Sequence, residues 1–95
     1  MKGKGSIKVM ITIGRYLKTK RFFKELTMRQ VVEKAKEEYN FATSTSVLSS
    51  IETDKNRVVD GELLLVLSDM YGFDMNELRD IALKELKNHG RKARK

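Results

Sequence analysis

Between Ile7 and Ile13 apolar residues fall at every second position, Ile7, Val9, Ile11 and Ile13, which is the period of a strand. No second strand is in view to pair with it. The segment reads either as a short dimer-forming strand or as an extended arm leading into a helix. From Thr12 onward the spacing turns helical. Ile13, Leu17, Lys20/Arg21 and Lys24 share one face, flanked by Tyr16 and Phe23, and this first helix should end near Lys24-Glu25. Thr27 with Gln30 three residues later has the form of a capping box and opens a second helix. Val31, Val32 and Ala35 are its apolar face, and it should run to about Glu38.

Residues 39–43 break the pattern, and Ser44 stands as the cap of a third helix from Thr45 to about Thr53. Its expected buried face is Val47, Leu48 and Ile51, which leaves Thr45, Ser46, Ser49 and Ser50 outside. Asp54-Lys-Asn-Arg57 reads as a polar loop. Asp60 caps a fourth helix whose Leu63, Leu64, Val66, Leu67 and Met70 are apolar nearly all round, so that it belongs in the centre of the core. Gly72 ends it. Asp74 opens a fifth helix, with Glu77 placed for a second capping box; Leu78, Ile81, Ala82 and Leu86 form its inward stripe, and Gly90 stops it. Phe22, Phe23, Tyr71 and Phe73 read as core or turn packing. The pattern predicts an all-α, five-helix domain over residues 12–89, preceded by a basic arm at 1–11 and followed by a basic tail at 90–95.

Charge changes the picture by its distribution. The 95 residues carry a net +7. Residues 1–24 hold eight basic groups and no acid, residues 25–83 hold twelve acids against six bases, and residues 84–95 hold six bases against one acid. A basic chain with an acidic body aims its charge at something: nucleic acid is the commonest polyanion to receive it and an anionic membrane surface the second, the plain alternative being that the charged ends are solvated tails.

The chain has no cysteine and one histidine, His89, which is most simply a favourable charge near a helix C-terminus. Thiolate metal sites, cysteine nucleophiles and Ser–His relays therefore lack parts. Asp69, Asp74, Glu77 and Asp80 read as caps and as an acidic face, not as a catalytic pair. The expectation is a protein that is not an enzyme and needs no cofactor or metal. No apolar run approaches the ~20 residues of a membrane span, and no apolar signal core follows the basic start, so a cytoplasmic, nucleoid-associated location is expected.

Several stretches resemble one family. Ile13-Gly-Arg-Tyr-Leu-Lys-Thr-Lys-Arg21, Glu25-Leu-Thr-Met-Arg-Gln-Val-Val32, Ser44-Thr-Ser-Val-Leu-Ser-Ser-Ile-Glu52-Thr-Asp-Lys55 and Leu63-Leu-Leu-Val-Leu-Ser-Asp-Met-Tyr-Gly72 are similar to the Cro/C1-type (XRE) helix-turn-helix family, to which phage lambda-like repressors belong. The resemblance covers roughly residues 12–83. It implies a lambda repressor-like domain whose third helix lies in the major groove of double-stranded DNA. Thr45, Ser46, Ser49 and Ser50 then stand at the base-reading positions. Lys18, Lys20, Arg29, Ser44, Lys55, Asn56 and Arg57 stand where phosphates are held, and Arg21 and Glu52 match the family's internal ion pair.

The chain departs from the family at three points. Met28 occupies the position where a phosphate-holding Gln is common, with Arg29 beside it. The connection from Lys36 to Ala42 is longer than the family's turn and lacks Gly, so the second helix should run on by a turn, with Tyr39 or Phe41 against the core. The reading helix offers only Ser and Thr, which make less discriminating hydrogen bonds than Arg, Asn or Gln; water, DNA shape or the arm must then supply specificity. The functional expectation is a homodimeric transcriptional regulator, a repressor, on a near-palindromic site. The alternative is a protein-interaction module, an antitoxin or adaptor, that holds a partner protein on the same scaffold.

Overall fold

Thr12 is extended, and its hydroxyl oxygen accepts the amide of Arg15, which starts a helix over Ile13–Phe23 (α1). Ile13, the last residue of the period-two run, is thus the first residue of a helix and not the end of a strand. The computed structural model describes residues 11–56 and 60–88. The first part of the expected strand or arm, Arg57, His89, Gly90 and the basic tail lie outside the described residues. Four further helices follow: Met28–Tyr39 (α2), Thr45–Glu52 (α3), Gly61–Tyr71 (α4) and Met75–Asn88 (α5). The domain is all-α, with five helices and no strand among the described residues. None of these helices is long and apolar enough to cross a membrane.

Side-chain chemistry sets the boundaries. Thr27 and Gln30 form the reciprocal capping box, Thr27 Oγ1 accepting the Gln30 amide at 3.1 Å and Gln30 Oε1 accepting the Thr27 amide at 2.9 Å. Ser44 Oγ accepts the amide of Val47 and caps α3, and Asp60 accepts the amide of Glu62 and caps α4. Gly72 closes α4 in the left-handed conformation at φ 76°, and the Phe73 amide returns to Ser68 O. At the start of α5 Asp74 accepts the amide of Asn76, but the carboxylate of Glu77, expected to complete a capping box, accepts instead from the hydroxyl of Tyr16.

Three other turns place a residue other than glycine in the left-handed region: Glu25 (φ 57°), Asn40 (φ 52°) and Asp54 (φ 63°). Asn40 solves the long, glycine-free connection, because asparagine tolerates this conformation better than most residues. α2 runs on to Tyr39, the Phe41 amide closes back onto Ala35 O, and Tyr39 and Phe41 both pack against the core. At Glu25 the Leu26 amide bonds Arg21 O and the Glu25 amide bonds Phe22 O, the double closure that normally carries glycine. Glu25→Gly should therefore raise stability by about 1 kcal/mol, read as a higher urea midpoint at unchanged slope.

The core joins Leu17 of α1, Val31 and Ala35 of α2, Leu48 and Ile51 of α3, Leu63 and Leu67 of α4, and Leu78 of α5. Tyr16 and Phe73 meet edge to face at 5.3 Å between centroids. Three expectations need correction. Val47 is exposed, because the inward stripe of α3 is Leu48, Ile51 and a charged residue, Glu52. Leu86 is exposed as well: the stripe Leu78–Ile81–Ala82 continues into Glu85, whose carboxylate accepts the amide of Ile13. Phe22 and Phe23 are not core residues; they are 58% and 75% exposed.

Candidate nucleic-acid interface

α3 is eight residues long and too short to hold its shape unaided, so its position depends on what grips it. The grip is Arg21. Its Nε donates to Glu52 Oε2 at 2.7 Å, its Nη2 to Glu52 Oε1 at 2.9 Å and its Nη1 to the carbonyl of Leu26 at 2.8 Å. The residues are 6% and 7% exposed, so the pair is buried. Two parallel bonds fix both the distance and the plane of the carboxylate, which a lysine could not do. The hydrogen bonds to Glu52 raise the Arg21 pKa further above its ordinary value, against the opposing effect of burial, so the guanidinium stays charged.

A second tie holds the same, C-terminal end of α3. Asp54 accepts from Thr12 Oγ1 at 2.7 Å and from the Gly14 amide at 3.2 Å. α1 has no acid in its first turn, and Asp54 and Glu85 supply from elsewhere the negative charge that its N-terminus favours. The sequence shows Asp54 only as part of a polar loop; a carboxylate directly after a short helix is the one signal, and its partner forty residues earlier leaves none.

The hydroxyl of Tyr71 is buried and finds no hydrogen-bond partner among the described residues. Burial raises its pKa well above the ordinary 10.0, Glu52 adds to this, and Arg21 partly offsets it. A tyrosine whose folded pKa is raised contributes stability that is fully present below its unfolded pKa and is lost as pH rises through the folded value. Tyr71→Phe removes an unpaired buried hydroxyl at constant shape. It should leave stability unchanged at neutral pH or raise it by up to about 1 kcal/mol, and it should soften the loss of stability above pH 10, both read by urea unfolding.

With α3 gripped from inside, its other side presents small hydroxyls. Thr45 and Ser46 are exposed on the first turn, and Ser49 and Ser50 are half-buried on the next. The oxygen of Ser44 serves as the helix cap and is exposed beside them. Arg29 is exposed in the first turn of α2, next to a half-buried Met28, and Gln30 is committed to the capping box. Lys55 and Asn56 are exposed directly after α3. The two α1 lysines each lie against an aromatic ring. α1 faces α3 with Gly14 and Arg21, and Lys18 borders the same helical row; its ammonium lies 5.7 Å from the centroid of the Phe22 ring, and the Lys20 ammonium lies 5.4 Å from that of Tyr16, which bonds α5. No group of three or more His, Cys, Asp or Glu among the described residues could hold a metal ion.

Searches of protein-family models, of curated proteins and of solved structures found no match to the chain.

Proposed function

We propose that this protein is a sequence-specific double-stranded DNA-binding regulator of the Cro/C1 helix-turn-helix type, a repressor, that reads the major groove with α3. The observation that carries the reading is a short helix with a narrow hydroxyl-bearing outer face, Thr45 and Ser46 foremost, clamped from inside by the two-pronged Arg21–Glu52 pair. A helix entering the major groove needs that slim, hydrogen-bonding face. It also needs a fixed attitude, because base contacts tolerate little misplacement. Ser44, Lys55 and Asn56 flank α3 in the chain and Arg29 lies in the first turn of α2; all four are exposed, which suits them to phosphate.

One such helix reads too few base pairs for useful affinity. The protein therefore acts as a homodimer on half-sites roughly 34 Å apart, with Leu83 and Leu86 on the outer side of α5 as the pairing surface. Arg29→Ala and Lys55→Ala should each weaken all duplexes alike and reduce the log–log salt slope by about 0.9. Thr45→Ala or Ser46→Ala should instead change which duplex is preferred. Fluorescence anisotropy with labelled duplexes across a salt series measures both. Binding that ignores salt would favour the partner-protein reading of this scaffold.

A further inference from the structure

The outward side of α1 is not used by the core, and Lys18 alone on it is among the expected phosphate contacts. Arg15, Lys18, Thr19, Phe22 and Phe23 recur at the spacing of one helical face, and all five are exposed. The helix carries no acid. Phe23, at 75%, has the highest fractional exposure of the large apolar residues described, and Phe22 follows within the same turn at 58%. Two neighbouring exposed phenylalanines in a chain that is 35% charged need a reason.

We infer that this face docks an acidic partner protein, with Phe23 entering an apolar pocket and Arg15 and Lys18 pairing with carboxylates around it. Aromatic residues and arginine are enriched at the centre of protein interfaces, within a polar rim. The charge of the face selects among occupants. A second copy packed symmetrically on α1 would set Arg15 and Lys18 against themselves. Base stacking is disfavoured at Phe22, whose ring already lies 4.9 Å from the Arg21 guanidinium carbon and 5.7 Å from the Lys18 ammonium. A membrane-surface helix needs a continuous apolar side, and α1 commits Ile13, Tyr16 and Leu17 to the core, leaving a single aromatic turn. An acidic protein surface with one pocket fits both the cations and the ring. The inference is independent of the DNA-binding reading.

The test is amide NMR on the isotope-labelled full chain, titrated with a synthetic helical peptide that interleaves leucine and glutamate. Parallel titrations use its glutamine counterpart, phosphatidylserine vesicles and single-stranded oligothymidylate. The expected result is a set of shifts confined to residues 15–24 with the glutamate peptide, absent with the glutamine peptide. Phe23→Ser, a change at an exposed position, should weaken that binding roughly tenfold while circular dichroism and duplex binding stay as in the parent. Arg15→Gln should reduce its salt dependence. The proposal is overturned by shifts located elsewhere or absent, by equal binding of the glutamine peptide, by unchanged affinity in Phe23→Ser, or by stronger occupation of α1 by vesicles or oligothymidylate.

Discussion

Glu52→Ala is expected to cost about 3–5 kcal/mol, because it leaves the Arg21 guanidinium buried with only the Leu26 carbonyl to answer its three bonded nitrogens. Domains of this size hold only about 5–15 kcal/mol in total. Each lost kcal/mol lowers Tm by roughly 4–8 °C, so the variant should melt more than about 10 °C below the parent. It should also lose duplex binding although Glu52, buried, need touch no DNA, because α3 loses its grip on α1. A double-mutant cycle on Arg21→Ala, Glu52→Ala and the pair should return a coupling well above 1 kcal/mol. Replacing both residues with methionine should recover much of the stability, since apolar packing avoids the desolvation cost of two charges. A coupling near zero would show that the pair does not anchor α3.

Gly14→Ala should produce the second large loss, with a sign opposite to that of helix propensity. Alanine is favoured over glycine inside a helix by about 1 kcal/mol. At Gly14, however, a Cβ would meet the carbonyl oxygen of Ile51, Asp54 Oδ1 at 2.6 Å and the carbonyl oxygen of Glu52 at 3.0 Å. Two of these three are backbone atoms in the last turn of α3, which cannot rotate aside. The substitution must push α1 off α3, at about 1–3 kcal/mol or more, and it strains the Asp54 bonds to Thr12 and Gly14 at the same contact. Gly61→Ala is the control: nothing lies within 4 Å of its Cβ position, so it should be neutral or slightly stabilising. Urea unfolding of the two variants separates a general effect of alanine from the close approach. A stable Gly14→Ala would mean that α1 and α3 are less tightly apposed than their carbonyls require.

Local chemistry is legible in the sequence wherever cause and effect lie within one turn. The Thr27–Gln30 box, the caps Ser44 and Asp60 and the glycine stop at Gly72 all act over four residues or fewer, and the helix ends are set by them. Sequence and structure part where an inward position is held by charge. Counting apolar residues sends Val47 and Leu86 inward; the slots belong to Glu52 and Glu85, whose desolvation is offset by Arg21 and the Ile13 amide. The alternation ending at Ile13 crosses a helix start, since period two cannot register the cap that Thr12 provides for α1. Residue type alone sends Phe22 and Phe23 into packing, whereas α1 already fills its inward rows with Ile13, Tyr16, Leu17 and Arg21. At the candidate site the pair Arg21–Glu52 is legible through family resemblance and not through spacing, because thirty-one residues separate the partners. Lys18 follows Gly14 by four residues and so borders the α1 row that meets α3, whereas Lys20 lies against the ring of Tyr16.

The most direct measurement is selection of bound sequences from a randomised duplex library by the parent protein, by a Ser46→Asn variant and by Phe23→Ser. The parent should enrich a motif repeated with two-fold symmetry at about one helical turn, Ser46→Asn should shift the enriched bases within each half-site, and Phe23→Ser should leave the motif as it is. Failure of the parent to enrich any motif, or one motif shared unchanged by the parent and Ser46→Asn, would contradict the assignment of α3 as the helix that reads DNA.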